Sequence, residues 1–374
     1  MSAPRGDRTT TGPTIGYYVH HHGRGHLHRA GAVARALARR HGCTVTGLSS
    51  FPRPGEWSGD WAGGWLELAR DDDPLPSPPA EHGDVTAGGR LHWVPRDHAG
   101  LLRRTTQLSA WLEAARPAAV VVDVSVEVSL LVRLHGVPVV GVVLPGERTD
   151  APHRLALDTA DALVGCWPDE VTDAMLPGLP ADVRARVHGV GGLSRHPVDD
   201  VPPPGGRRGR RRRTVLYLGG AGGHDLGDVE LDARLAAAQA QTPTWTWEVA
   251  DARRWRRDTR TLLQSADVVV THTGQNAVAE VAAARRPAVL VPQRRPHDEQ
   301  AATARVLADG TWPAVVESEL PAEGWAERLE RSLVLDPAGW ARWCDGRAAD
   351  RFADVIAGVA GVAGHRRTPE RSAS

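Results

Sequence analysis

The chain of 374 residues carries 45 basic and 45 acidic residues, a formal net charge of zero, so no global field recruits nucleic acid or an anionic membrane. All of those basic residues are Arg, because the sequence has no Lys. That excludes a Walker-A phosphate loop, which needs its Lys, and Schiff-base or pyridoxal-phosphate chemistry, which needs a Lys amine.

The rest of the composition describes an ordinary globular protein. At 41% hydrophobic and 24% charged the chain can bury real cores, and its length implies two domains. Cys43, Cys166 and Cys344 are too few and too scattered for a disulfide framework or a zinc ribbon, which makes a reducing cytoplasm the expected location. Met1 to Pro13 lack the apolar core of a signal peptide, and no segment reaches the roughly 20 apolar residues of a membrane span. Any membrane contact would be peripheral, at the inner face. Gly (40) and Pro (28) are abundant while Asn276 is the one Asn; such compositional bias makes the rare residue types informative.

In chain order, Thr14–Val19 is a β-rich run. The turn His20-His21-His22-Gly23-Arg24-Gly25-His26 follows, and then a helical pattern with Ala30, Val33, Ala34 and Leu37 on one face. Thr44–Leu48 gives a second strand. Phe51–Pro95, rich in Pro, Gly, Trp and Asp, reads as irregular connections with a weak element or two. Ala119–Asp123, a short helix around Val128–Leu134 and Val137–Val143 restore the alternation. Continuous apolar strands alternating with helices indicate a parallel sheet covered on both faces.

Composition shifts sharply at Pro202–Gly206 and the Arg run Arg207–Arg213, which cannot bury a core and reads as a linker. The run is either a solvated linker or a patch attracted to acidic headgroups at about 1 kcal/mol per Arg. A second series follows: strands at Thr214–Leu218, Trp245–Val249, Ala266–Val270 and Ala288–Val291, and helices near Gln275–Arg285, Asp298–Ala308, Ala322–Leu333 and Gly339–Val362. The expected organisation is a tail over 1–13, a first Rossmann-like domain over 14–200, the linker over 201–213, a second Rossmann-like domain over 214–363 whose final helix packs back on the first, and a tail over 364–374.

Two turns carry chemistry. His272-Thr273-Gly274-Gln275-Asn276, followed by Glu280, lies where a strand ends and a helix begins. Backbone amides at a helix start are unpaired and can hold a diphosphate without Lys or metal. Gly274 permits close approach, and the Glu280 carboxylate can accept hydrogen bonds from paired ribose hydroxyls. The run Gly219-Gly220-Ala221-Gly222-Gly223 after the second half's first strand is either a tight turn or a further source of backbone donors. In the first half, Gly23-Arg24-Gly25-His26 matches the start of a dinucleotide fingerprint, but the third Gly is missing. The histidines at 20, 21, 22, 26 and 28 lack a carboxylate or Cys at metal-motif spacing. Asp71-Asp72-Asp73 sits in a Pro-rich loop. No metal is expected at either.

The pattern His272-x-Gly274-x-Asn276-x-x-x-Glu280, with Pro287, Val291-Pro292 and Glu299-Gln300, resembles the donor-binding signature of GT-B glycosyltransferases, close to the box of plant UDP-sugar transferases. Ser265–Leu307 is similar to the C-terminal domain of family 28 transferases. Two departures stand out: about three extra residues between Pro292 and Gln300, and Gln275 in place of the plant box's Trp. The resemblance implies an α/β GT-B fold, two doubly wound Rossmann-like domains facing a cleft, and an inverting transferase moving a sugar from a nucleotide-sugar donor (UDP favoured, dTDP the alternative) to a hydroxyl acceptor. It implies a diphosphate contact for His272, ribose contacts for Glu280, and donor-sugar contacts for Glu299 and Gln300. Thr273, Gly274, Gln275, Asn276, Gly219, Gly220, Gly222 and Gly223 complete the donor site.

GT-B transferases with this box carry Gly-His after the first strand. The resemblance therefore implies His26 as general base, held in one tautomer by Asp123, with Gly23 and Gly25 shaping the acceptor-side loop. The alternative for Asp123 is capping of the next helix. No cofactor beyond the donor is required, and the acceptor is lipid-linked, a cell-wall intermediate or a secondary metabolite. Two rival functions remain open: a nucleotide-sugar epimerase or hydrolase of the same fold, and a non-catalytic sugar-nucleotide-binding subunit.

Overall fold

The computed structural model describes residues 12–21, 23–55, 61–72, 83–200, 212–220, 224–254 and 258–362. The tails, most of the Pro/Arg linker, and the expected donor residues Gly222 and Gly223 lie outside these residues. The chain divides into two compact units, one of residues 1–143, 150–164 and 349–374, the other of 144–149 and 165–348. Among the described residues no helix is long and apolar enough to cross a membrane.

The first series runs β1 (Thr14–Val19), α1 (Arg24–His41), β2 (Thr44–Ser49), β3 (Trp65–Glu67), α2 (Ala99–Ala115), β4 (Ala119–Asp123) and α3 (Val126–Leu134). It continues with β5 (Val139–Val143), α4 (Ala151–Thr159), β6 (Ala162–Gly165), α5 (Thr172–Met175), α6 (Ala181–Arg184) and β7 (Val187–Gly189). Its sheet has the order β3-β2-β1-β4-β5-β6-β7, and β1 pairs parallel with both β2 and β4. The apolar stripe expected on α1 is buried: Ala30, Val33, Ala34 and Leu37 are fully covered. The helix stops at Gly42, whose left-handed backbone (φ 65°) returns its N–H to Ala38 and Leu37.

The second series runs β8 (Arg213–Leu218), α7 (Asp228–Gln241), β9 (Trp245–Ala250), α8 (Thr259–Ser265), β10 (Val268–Thr271) and α9 (Gln275–Ala283). Then follow β11 (Ala288–Leu290), α10 (Glu299–Leu307), β12 (Ala314–Val316), α11 (Trp325–Leu333) and α12 (Ala348–Val359). The sheet order is β12-β11-β10-β8-β9, with parallel pairing along its length. Arg213, the end of the Arg run, already belongs to β8; its guanidinium lies 5.4 Å over the Trp245 ring.

Both sheets are doubly wound, and in each the strand order reverses at one place: between β1 and β4, and between β8 and β10. Crossovers on either side of such a point leave for opposite faces, which opens a crevice at the carboxyl ends of the strands.

The single helix expected over 339–362 is instead two pieces. Pro337–Ala341 forms a 3-10 turn and α12 starts only at Ala348, because Gly346 takes a left-handed conformation (φ 80°) between them. Trp340 and Trp343 are therefore not on the helix that carries Phe352. They pack around Trp312, with Trp343 edge-on at 5.1 Å. The final helix meets α1 through Arg40–Asp354 at 2.8 Å, His41–Asp354 at 2.8 Å and Arg39–Asp350.

In the second unit Val215, Tyr217, Val268, Val270 and Val289 meet Leu231, Leu235, Trp325 and Leu329. Trp325 is fully buried and lies edge-on to Trp247 at 5.2 Å. Trp325→Ala should cost about 3–5 kcal/mol in urea unfolding. Leu102→Ala, at a residue 72% exposed, should stay within about 0.5 kcal/mol.

Candidate active site

The first crevice holds His26 and Asp123. Register places Asp123, the last residue of β4, directly beside Val19, the last of β1. Gly23 ends the intervening turn with φ 92°, a conformation that favours glycine, and serves as N-cap of α1. Gly25 and His26 follow in that helix's first turn. Asp123 is completely buried, and its Oδ1 lies 2.8 Å from His26 Nδ1. The helix-cap alternative for Asp123 fails: Ser125 caps α3, its Oγ accepting from Val128 N–H at 3.2 Å.

Arg29 is absent from the sequence-derived candidates, although it stands one turn beyond His26 on α1. It donates to both carboxylate oxygens of Asp123, through Nε at 2.9 Å and Nη2 at 2.7 Å. Burial alone would push the Asp123 carboxyl up; Arg29 and then His26 outweigh it and hold the group well below the usual carboxylate range. Asp123 is therefore a permanent acceptor. Arg29 Nη2 also sits 2.9 Å from His26 Nδ1, but a guanidinium can only donate. When Nδ1–H donates to Asp123, the Nε2 lone pair is left for a substrate proton.

The second crevice gathers three loops. Thr271 pairs with Leu218 on one side and Leu290 on the other, and its Oγ1 donates to the Leu218 carbonyl at 2.6 Å. His272 thus follows directly beside Gly219–Gly220. A Cβ at Gly220 would lie 2.5 Å from His272 Nε2, and one at Gly274 would lie 2.6 Å from His272 Cε1. Both glycines are there because the imidazole leaves no room for a side chain. His272 Nδ1 accepts from Gly274 N–H at 3.0 Å, so the neutral ring carries its proton on Nε2, facing the glycine loop. Burial first, then the nearby positive charge of Arg295 and His224, push this imidazole down to about 4.

Helix α9 begins here with Gly274 as N-cap and no side-chain cap, which leaves backbone donors at its first turn. Thr273 is fully buried, and its hydroxyl donates to the Gln300 carbonyl at 2.7 Å. Gln275 and Asn276 open the helix, Asn276 being exposed. Glu280, one turn deeper, is buried, and both its oxygens meet Arg195, at 2.7 Å and 3.1 Å. Burial pushes the Glu280 carboxyl up against the pull of that guanidinium. Each oxygen keeps a further lone pair, so the pairing does not exhaust the acceptor capacity. Arg195 lies 85 residues from Glu280 in sequence, and nothing in the motif points to it.

The third loop explains the extra residues after Pro292. They form a 3-10 turn over Pro296–Asp298, with His297 and Asp298 both left-handed at φ 60° and 53°. That turn returns the chain so that Gln300 heads back into the site. Gln300 is buried, and its Oε1 accepts from Gln293 N–H at 3.0 Å. A Cβ at Gly274 would lie 3.5 Å from its Nε2. Glu299 instead faces Arg148 at 3.7 Å.

Comparison with known proteins agrees with this geometry. Residues 237–330 match the Glycosyltransferase family 28 C-terminal domain. The chain is 36% identical over 126 residues to the UDP-N-acetylglucosamine--N-acetylmuramyl-(pentapeptide) pyrophosphoryl-undecaprenol N-acetylglucosamine transferase of Rhodospirillum centenum, covering 30% of this chain and 32% of that one. It is 34% identical over 102 residues to an uncharacterized glycosyltransferase of Methanopyrus kandleri, covering 26% and 28%. The chain thus spans about a third of the length of the curated relatives it matches.

Solved structures superpose over nearly the whole chain. MurG of Acinetobacter baumannii gives a TM-score of 0.59 at 17% identity, covering 92% of this chain and 98% of its own. A Phytolacca americana UGT2 complexed with UDP-2fluoro-glucose and pterostilbene gives 0.63 at 14%, covering 93% and 100%. The calicheamicin glycosyltransferase CalG4 gives 0.59 at 18%, covering 94% and 99%. The fold is GT-B.

His272 should titrate near 4 by NMR rather than near the ordinary 6.5. Its folded-state value lies below the unfolded one, so the unfolded chain binds more protons between them. The contribution to stability is complete above about 6.5 and is lost as pH falls towards about 4. His196, also pushed down to about 4 by burial and Arg195, acts in the same window. His272→Gln should therefore flatten the pH dependence of unfolding there without abolishing it. A His272 midpoint near 6.5 would contradict the burial argument.

Proposed function

We propose that the chain is an inverting glycosyltransferase that moves a sugar from a nucleotide donor, UDP-linked by preference, to a hydroxyl acceptor. The observation that carries the reading is the half-buried His26 held on buried Asp123 and Arg29 at the strand-order reversal of one sheet, in a chain whose other sheet has a glycine-approached His272 at its own reversal. The family 28 match over residues 237–330 supports a sugar-nucleotide donor. The Rhodospirillum centenum relative carries UDP-N-acetylglucosamine in its transferase name, and the Phytolacca americana UGT2 is complexed with UDP-2fluoro-glucose.

In this reading an acceptor hydroxyl attacks the anomeric carbon of the donor while its proton passes to His26 Nε2. The bond from that carbon to the diphosphate oxygen breaks, and the nucleoside diphosphate leaves with the electron pair. Asp123 stabilises the imidazolium that forms, and Arg29 keeps Asp123 ionised. The first-turn amides of α9, the His272 Nε2–H and the Gly219–Gly220 backbone stabilise the leaving diphosphate, and Glu280 accepts from the ribose hydroxyls with its remaining lone pairs. These groups supply the electrostatic stabilisation, so the reaction as proposed needs no cofactor beyond its donor.

His26→Ala should lower transfer about 10²–10⁴-fold while the dissociation constant for UDP-glucose, measured by calorimetry, changes by less than about threefold. Retained turnover would sink the base assignment. A thermal-shift panel of UDP-, dTDP- and GDP-glucose tests the donor: the largest stabilisation should come from UDP-glucose, and no shift with any of the three would overturn the reading.

A further inference from the structure

The first unit contains a cavity of about 820 Å³, large enough for a drug-sized ligand. Leu91, Val94, Leu101, Leu108, Val128 and Leu131 form its apolar wall. Leu134, also in the lining, is left 84% exposed at its edge. The cavity reaches His20, whose ring centroid is 5.9 Å from that of His26, and Val124 and Ser125, which follow Asp123 in the chain.

Its polar groups discriminate by charge. Three carboxylates, of Asp71, Asp72 and Glu127, line it against one guanidinium, that of Arg104, and three imidazoles, of His20, His21 and His92; an ordinary imidazole is largely neutral at about pH 8. Arg104 is buried and already committed, with Nη1 2.9 Å from Asp71 Oδ1 and Nη2 donating to Tyr18 Oη at 2.7 Å. Arg70, outside the lining, pairs with Asp72 at 2.6 Å, and His21 lies 3.2 Å from the same residue. Glu127 is matched by no cation among the described residues. It accepts from the backbone N–H groups of His92 and Trp93 at 2.7 Å and 3.1 Å. At the neighbouring helix starts one amide each is taken by a side-chain cap, His98 on α2 and Ser125 on α3, and Glu127 in the first turn of α3 opposes an anion there. Residues 56–60 and 73–82, outside the described set, contain no Arg.

We propose that this cavity binds an uncharged, apolar acceptor bearing a hydroxyl, and rejects one whose apolar part carries a phosphate or diphosphate. Calling the ligand an acceptor rests on the transferase reading above; the ligand class itself rests on the cavity. An anion placed there would lose its hydration and meet, among the described residues, an excess of carboxylate over guanidinium.

Farnesol and farnesyl diphosphate share one hydrocarbon and differ in the anionic head, so calorimetric titration of both into the full-length protein at pH 8 tests the idea. Farnesol should bind at least about tenfold more tightly than farnesyl diphosphate. Leu131→Glu, and independently the edge variant Leu134→Glu, should weaken farnesol while leaving UDP-glucose binding unchanged. Equal or tighter binding of the diphosphate, binding of neither probe, or farnesol binding insensitive to both variants would each overturn the proposal. Farnesol binding in a protein that binds no UDP-sugar would instead overturn the transferase reading and leave the cavity's ligand class standing.

Discussion

The constraint on which everything else depends is the reversal of strand order. Parallel strands need crossovers, and a sheet wound in both directions from one pair of strands sends its helices to opposite faces at that pair. The loops leaving the two strands diverge, which opens a crevice at the strands' carboxyl ends. Val19 beside Asp123, and Leu218 beside Thr271, are the two register pairs at those places. In each pair one strand, β1 and β10 respectively, runs into a helix whose N-cap is glycine, without a side-chain cap. The proposed chemistry gathers at these two reversals, where the strand-end loops part.

The strands were legible because their signal is local. Val and Ile runs such as Ala119–Asp123 are buried on both faces and need no neighbour to be recognised. The His272–Glu280 segment was legible for the same reason: strand end, glycine cap and helix start lie within one short stretch. The long final helix misled because Trp340, Trp343 and Phe352 fall at helical spacing, and only the left-handed Gly346 shows that they belong to different elements. Periodicity reports which residues are buried, not whether the backbone between them is continuous.

What the sequence could not show is which charged residues reach a motif from a distance. Arg195 meets Glu280 across 85 residues, and Arg104 meets Tyr18 across 86. An Arg-rich chain offers 45 candidates for each such partnership, and composition cannot choose among them. Arg29 is the intermediate case. Its spacing from His26 puts it on the same face of α1, but its value lies in Asp123, which the sheet register alone brings near.

The absence of Lys then acquires a structural meaning. A Lys ammonium is a mobile point charge, whereas a guanidinium is a fixed fork that matches a carboxylate edge. Arg29 grips Asp123 through two nitrogens, and Arg195 grips Glu280 in the same way. In both crevices the Arg is thus committed to fixing a carboxylate. Besides the Arg295 charge near His272, the donors left for a diphosphate in the proposed reaction are neutral, the α9 amides and the Nε2–H of an imidazole that burial keeps uncharged. Such donors attract an anion without the desolvation that a buried cation would demand. In the proposed reaction a leaving diphosphate would be held largely by direction and number of hydrogen bonds, and that demands the close approach which Gly220 and Gly274 permit.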